Sequence, residues 1–135
     1  LYPDLVGASV REGAEILVNI SNDGWLDGGY GAASRQHFAM AAFRAVETRR
    51  YLVRAATTGV SGIIDPYGRV VEERAPGTVG VGSTRVSGRR EITPYVRFGD
   101  VFALACAGLA LGGLVRGRVR LGRRIRADMP APATA

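Results

Sequence analysis

The sequence has no lysine and only one cysteine, one histidine and one tryptophan among its 135 residues. Without lysine, these residues alone complete no lysine-dependent chemistry, whatever fold they adopt. A single cysteine excludes an internal disulfide and a cysteine-based metal site. Because Cys106 lies within an uncharged run, we expect it to be a small core or lipid-facing side chain and not a nucleophile. We predict no metal and no cofactor.

Positive charge is unevenly distributed along the chain. All eighteen basic residues are arginine, and the formal net charge is +6. Six of these arginines lie between residues 116 and 126, and the other twelve balance twelve acidic residues. A basic cluster beside an apolar segment is typical of contact with anionic lipid, whereas single-stranded nucleic-acid binders combine basic grooves with stacking aromatic residues. We predict the membrane as a partner and no nucleic acid.

An apolar run at residues 101–115 precedes the arginines. It holds fifteen uncharged residues, fewer than the ~20 that usually cross a bilayer. Tyr95 and Phe98 can anchor one end at the membrane interface and Arg116 the other, so we predict a transmembrane helix over 101–115. The alternative is a buried helix of a soluble core. The positive-inside rule places 116–135 in the cytoplasm as a basic tail and the globular part on the opposite side.

Residue periodicity and turn residues predict a layered α/β (α+β) fold before this run, with helices on one face of a sheet. The predicted elements are a helix from Pro3 to near Gly13, a buried strand over 16–20, a helix over 32–48, a strand over 51–56, a hairpin of 59–64 with 69–73, and a strand over 78–86.

A polar loop at residues 21–31 follows the first predicted strand, a place where functional side chains are often found. Its glycines match neither a dinucleotide fingerprint nor a phosphate loop. We expect Asn22 and Asp23 to support this loop through local hydrogen bonds from side chain to backbone. Trp25 is the candidate substrate-binding residue, because a loop aromatic can cover an apolar ligand. The alternative is an ordinary packed tryptophan.

Three residues of the predicted helix over 32–48 are candidates for structural roles. His37, the only histidine, is expected to be a hydrogen-bonded structural residue and not a general base. Glu47 is expected to form an ion pair with Arg44 or Arg54, since residues three apart on a helix are neighbours.

Six short stretches carry a family resemblance. They are VNISNDGW at 18–25, QH at 36–37, RAVE at 44–47, IDPYGRV at 64–70, TPY at 93–95 and GD at 99–100. Together they resemble the C-terminal portion of the apolipoprotein N-acyltransferase family, a branch of the nitrilase (carbon–nitrogen hydrolase) superfamily. The resemblance implies a nitrilase-like α-β-β-α sandwich, of which 1–92 is the C-terminal part, then a juxtamembrane connection at 93–100 and the terminal helix.

The resemblance also implies an activity. Members of the family transfer a fatty acyl chain from a phospholipid, through a cysteine thioester, to the N-terminal diacylglyceryl cysteine of a lipoprotein at the bacterial inner membrane. Their Glu-Lys-Cys triad is expected upstream of residue 1, with the cysteine a few residues before Pro3 and Asp4. No catalytic residue is therefore expected in this chain, and Cys106 does not match the motif. Trp25 is expected near the entrance of the site.

The expected protein is thus a fragment that is inactive alone, belonging to a longer, multi-pass enzyme. Two alternatives remain open at this point. One is a fragment of a soluble nitrilase-type amidohydrolase, and the other is a catalytically dead, membrane-anchored binding module. Membrane partition of residues 101–115 would distinguish the acyltransferase fragment from the amidohydrolase fragment. The sequence that encodes the region before Leu1 would distinguish it from the binding module.

Overall fold

The computed structural model describes residues 2–26 and 31–127. Its helices and strands, in chain order, are α1 (Pro3–Arg11), β1 (Ile16–Ser21), α2 (Ala32–Thr48), β2 (Tyr51–Ala56), β3 (Ser61–Ile64), β4 (Val70–Arg74), α3 (Pro94–Phe98) and α4 (Val101–Ala127). The mixed α/β fold class predicted from the sequence is confirmed. The chain divides into two compact units, Leu1–Gly99 and Asp100–Ala135.

The N-terminal unit contains a four-stranded sheet in the order β1-β2-β3-β4. β1 and β2 are parallel and are connected through α2, whereas β3 and β4 continue as antiparallel strands. The turn between β3 and β4 forms around Asp65, whose carboxylate accepts hydrogen bonds from the backbone N–H groups of Tyr67 and Arg69 at 2.8 and 2.9 Å. The predicted hairpin is therefore present.

The hydrophobic core lies between α2 and one face of the sheet. From α2, Phe38, Ala41 and Ala45 pack against Leu52 and Ile64, and all five are buried. Full burial of one leucine or isoleucine side chain contributes about 1.5–3 kcal/mol. The small alanines let the helix approach the sheet closely, so α2 holds β1 and β2 at fixed positions.

The face of the sheet that points away from α2 is partly exposed. Val18 and Ile20 of β1 are 70% and 82% exposed, because alternate residues of a strand point to opposite faces and these two point away from α2. The prediction of a buried strand over 16–20 is therefore wrong for this face.

The strand predicted over 78–86 is also not formed by those residues. Val79 and Val81 are fully or largely exposed, and the carbonyl of Val81 accepts a hydrogen bond from the guanidinium of Arg74 at 2.6 Å instead of joining a ladder. Gly80 and Gly82 interrupt the segment and weaken its strand propensity. Alternation of apolar residues is thus not enough to form a strand where no neighbouring strand pairs with the segment.

The second unit contains α4, which is longer than the predicted helix over 101–115. It continues through the arginine-rich segment to Ala127, and its length is about 40 Å at 1.5 Å per residue. Val101–Arg118 is long and apolar enough to cross a membrane, by length and composition, with a mean hydropathy of 1.4. Residues 128–135 of the predicted tail lie outside the described residues.

Candidate functional site

A polar cluster lies where the parallel strands β1 and β2 end. Asn19 and Arg54 are direct partners in the register of these strands, so their side chains lie on the same face of the sheet. Along that face the residues change from apolar, at Leu17 and Leu52, to polar at the carboxyl ends. The same face that forms the core with α2 therefore continues into a site for polar side chains.

Asp23 is the centre of this cluster and is fully buried. Its Oδ1 accepts hydrogen bonds from Ser21 Oγ at 2.7 Å and Arg54 Nη2 at 2.9 Å. Its Oδ2 accepts from Ser34 Oγ at 3.2 Å and Arg54 Nη2 at 2.8 Å. Burial alone raises the pKa of this carboxyl, but its hydrogen bonds, including one with His37, and the charge of Arg54 outweigh burial and hold the pKa below its usual value.

Arg54 is the cation that balances the buried carboxylate, and it is 2% exposed. Its Nη1 donates to Asn19 Oδ1 and its Nε donates to the carbonyl of Val60 at 3.1 Å. A buried ion pair is maintained only when its remaining donors and acceptors are satisfied. These contacts meet that condition, so the pair fixes the loop after β1 to the sheet.

His37 reaches the cluster from α2. Its Nδ1 lies 3.0 Å from Asp23 Oδ1, and its side chain is 19% exposed. An ionised carboxylate carries no proton, so a hydrogen bond here requires Nδ1 to donate. The guanidinium Nη2 of Arg54 lies 3.2 Å from the same Nδ1. His37 therefore contacts the carboxylate of the loop, and its role as a structural residue stays a prediction.

Asn22 and Asp23 have different roles in the loop. Asn22 Oδ1 accepts a hydrogen bond from the N–H of Gly24 at 3.0 Å, a local contact of the kind expected from the sequence. The side chain of Asp23 instead contacts side chains from β1, α2 and β2. The role of Asp23 in supporting the loop stays a prediction, but its side-chain contacts are with other side chains and not with the backbone. The parallel strands bring the buried cation of Arg54 within its reach. Gly28 and Gly29 lie outside the described residues.

A cleft of about 640 Å³ lies beside this cluster. Its lining residues come from the start of α1, the end of β1, the following loop and α2. They are Tyr2, Pro3, Asn19, Ser21, Trp25, Leu26, Ala33, Gln36, His37 and Met40. Trp25, Leu26 and Met40 can contact a hydrocarbon chain, while Gln36 and His37 can hydrogen-bond a polar group. The cleft therefore suits a ligand with one apolar and one polar part.

Trp25 is 77% exposed at the edge of this cleft. An exposed aromatic at a cleft is available to a ligand, whereas a packed tryptophan is not. Arg44 and Glu47 lie elsewhere on α2 and form an ion pair with each other at 2.7 Å. Within residues 2–26 and 31–127, no three histidine, cysteine, aspartate or glutamate side chains lie together as a metal site requires.

Sequence reasoning missed Arg54, Ser21 and Ser34 as partners of Asp23. Arg54 was expected only as an alternative ion-pair partner of Glu47. One signal was present in the sequence. In the predicted strand over 51–56, Arg54 is two residues after Leu52 and so shares its inward face. A charged residue at an inward position requires a buried partner of opposite charge.

Comparison with known proteins agrees with this architecture. The sequence profile of the carbon-nitrogen hydrolase family matches residues 1–92. The chain is 38% identical over 119 residues to a protein of Thermotoga maritima named apolipoprotein N-acyltransferase, covering 88% of this chain and 23% of that protein. Proteins of the same name from Geobacter metallireducens and Gloeobacter violaceus are 44% and 41% identical, over 82% and 93% of this chain and 21% and 23% of their own lengths.

The chain thus spans about a fifth of the length of the curated relatives that it matches. The family match covers the sheet, the loop with Asp23 and Trp25, and the helices that form the cleft. This chain belongs to the carbon–nitrogen hydrolase family.

Proposed function

We propose that this chain is the C-terminal part of an apolipoprotein N-acyltransferase of a bacterial inner membrane. The whole enzyme would transfer a fatty acyl chain from a phospholipid to the N-terminal diacylglyceryl cysteine of a lipoprotein. The observation that supports this most is the cleft, because an exposed aromatic and the first residues of α1 border it together. The chain itself would supply one wall of the active site.

The position of α1 connects the cleft to the chemistry. The family resemblance places the nucleophilic cysteine a few residues before Pro3 and Asp4. Because Tyr2 and Pro3 line the cleft, a cysteine shortly before them in the longer protein would lie at or near the same cleft. The glutamate and lysine of the triad would come from further upstream.

The reaction then has two steps. The glutamate takes the proton of the cysteine thiol, and the thiolate attacks the ester carbonyl of the phospholipid. The carbon–oxygen bond breaks, and the lysophospholipid leaves with the proton that the glutamate returns. The lipoprotein amine next attacks the thioester carbonyl, the carbon–sulfur bond breaks, and the amine proton passes to the carboxylate base. The lysine cation stabilises the oxyanion in both steps. Trp25 would cover the acyl chain, and the Asp23–Arg54 pair would hold the loop that carries Trp25.

Two features favour this function over the alternatives. A soluble amidohydrolase has no need of a helix such as Val101–Arg118, which is long and apolar enough to cross a membrane. A binding module without catalysis has no need of a cleft beside the expected position of the nucleophile. The relatives named above all carry the name apolipoprotein N-acyltransferase.

We expect Trp25→Ala, made in the full-length protein that contains this chain, to reduce acyl transfer roughly tenfold to hundredfold. An aromatic contact with an acyl chain is worth ~1.5–3 kcal/mol, and its loss raises the barrier correspondingly. The free energy of unfolding should change by less than about 0.5 kcal/mol, because the side chain is exposed. Transfer of a labelled acyl chain from phospholipid to a diacylglyceryl peptide measures activity, and urea unfolding measures stability.

Phe43→Ala is the matched control, since Phe43 is an exposed aromatic of α2, 63% accessible, that does not line the cleft. It should leave acyl transfer unchanged. If the unmodified full-length protein cleaves amides but transfers no acyl chain, the amidohydrolase alternative is correct. Equal losses of activity and stability in Trp25→Ala would show that Trp25 is a packing residue.

The orientation of α4 gives a second prediction. If α4 spans the membrane, the arginines at 116–126 should keep the C-terminus in the cytoplasm, and the sheet should face the periplasm. A reporter fused after Ala135 should be active only if it is of a type that works in the cytoplasm. A C-terminus found outside the cytoplasm in the unmodified protein would contradict both the topology and the placement of the active site.

A further inference from the structure

Three guanidinium groups surround one exposed tyrosine ring on the N-terminal unit. The guanidinium carbons of Arg49, Arg69 and Arg89 lie 4.9, 5.9 and 5.7 Å from the centroid of Tyr67. All three distances are within the range of cation–π contact. Tyr67 is 56% exposed. We name these four residues the arginine–tyrosine cluster.

The cluster has more positive than negative charge. Glu91 lies 3.2 Å from Arg89 and so partly neutralises it. Asp65 directs one carboxylate oxygen to two backbone N–H groups of the turn. Among the residues that the structure describes, Arg49 and Arg69 have no carboxylate within ion-pair distance. Arg49 Nη1 donates to the carbonyl of Pro66 at 3.3 Å. Three cations held at one ring repel each other, and a bound anion would relieve this repulsion.

The type of anion follows from the side chains. Guanidinium groups donate paired hydrogen bonds that match the oxygens of a phosphate. Arginine and tyrosine are also residue types found at the interface between a membrane and water. A phosphate presented at a lipid surface therefore fits both the charge and the amphipathic character of the cluster.

The location of the cluster is separate from the cleft. Arg49 directly follows α2 and Tyr67 lies in the turn between β3 and β4, so both are at the end of the sheet where β2 begins. The cleft lies at the opposite end, where β1 and β2 finish. The segment that leads to α3 is also attached near the cluster, since Thr93 donates to the carbonyl of Glu47. Seven residues lie between Thr93 and the start of α4, so this connection of eight Cα–Cα steps reaches at most about 28 Å.

We propose that the arginine–tyrosine cluster binds the phosphate headgroups of anionic phospholipids in the membrane that α4 enters. The short covalent link raises the effective concentration of these headgroups at the cluster. The inference rests on the membrane location in the proposed function but not on acyl transfer. It gives the N-terminal unit a second, electrostatic contact with the bilayer.

The test places the full chain in lipid nanodiscs of phosphatidylcholine with a small share of phosphatidylglycerol that carries a photoreactive headgroup. Mass spectrometry then locates the cross-linked peptides. We expect cross-links at residues 65–71, and we expect the double variant Arg49→Gln, Arg69→Gln to reduce them roughly thirty-fold. The double control Arg35→Gln, Arg85→Gln removes the same charge from exposed arginines outside the cluster and should retain the cross-links.

Each outcome decides the proposal. Cross-links that map away from residues 65–71, or that are equal in the variant and the control, would overturn it. If glycerol 3-phosphate in solution abolishes the cross-links, the ligand is a soluble phosphate and the lipid assignment is wrong. Circular dichroism checks the fold of the double variant. If that fold is lost, the single variant Arg69→Gln, at an exposed position, is used in its place. Failure of acyl transfer with cross-links intact would refute the proposed function and leave this inference standing.

Discussion

Replacement of Arg54 by methionine is expected to lower the free energy of unfolding of the N-terminal unit by ~3–5 kcal/mol. The variant leaves the fully buried carboxylate of Asp23 without the cation that donates to both of its oxygens. Ser21, Ser34 and His37 remain as donors, but none of them replaces a full positive charge. Because most single substitutions cost about 1 kcal/mol, such a loss would identify the ion pair as the main support of the loop.

The pH dependence of this loss has a definite sign. In the unmodified chain the pKa of Asp23 is held below its usual value, so its ionisation stabilises the fold above about pH 4, and this contribution disappears as pH falls through the lowered pKa. In Arg54→Met, burial dominates and raises the pKa of Asp23, so ionisation then opposes folding. The difference in free energy of unfolding between Arg54→Met and the unmodified chain should therefore be largest near pH 7 and smallest below about pH 4.

Urea unfolding in mild detergent, followed by near-ultraviolet circular dichroism, measures both effects. Arg69→Met is the matched control, since Arg69 is exposed, and it should change stability by less than about 0.5 kcal/mol. The double variant Asp23→Leu, Arg54→Met removes both buried charges and should recover part of the loss. A difference between Arg54→Met and the unmodified chain that stays constant from neutral to acid pH would show that the carboxylate does not carry the effect.

Local sequence signals were sufficient for most of the secondary structure. The helix over 32–48 and the strand over 51–56 were predicted at their observed bounds, because apolar spacing along each one matches the face that it buries. The segment 78–86 has similar alternation but forms no strand. A strand needs a partner to satisfy its backbone groups, and alternation within a segment says nothing about whether that partner exists.

The site was less accessible to sequence reasoning, since its contacts are long-range. Asp23 and Arg54 are 31 residues apart, and they meet only because Asn19 and Arg54 are paired across parallel strands. Sequence spacing does not reveal that register. The sequence predicts a polar site in this loop, but the principal contact of the loop comes from the neighbouring strand. A polar residue at an inward position of a strand, such as Arg54, is the sequence feature that could have indicated this contact.

Gly59→Ala is expected to be the second most damaging substitution, lowering the free energy of unfolding by ~1–3 kcal/mol or more. An added Cβ at Gly59 would lie 2.1 Å from Asp23 Oδ2 and 2.7 Å from Ser34 Oγ. Both neighbours are fully buried, and the carboxylate is fixed by Arg54. The methyl group would therefore have to displace the ion pair or the chain between β2 and β3. In the full-length enzyme, acyl transfer should fall along with stability, because the displaced loop carries Trp25.

Gly7→Ala is the matched control, since Gly7 is also a buried glycine, within α1. An added Cβ there would meet only Arg11 Nη1 at 3.5 Å, an ordinary contact distance. Replacing a helical glycine by alanine stabilises a helix by roughly 0.5–1 kcal/mol, so the two substitutions should have opposite signs in the same urea titration. If Gly59→Ala unfolds at the same urea concentration as the unmodified chain, Asp23 is free to move, and the loop is not held by the ion pair in the way the structure indicates.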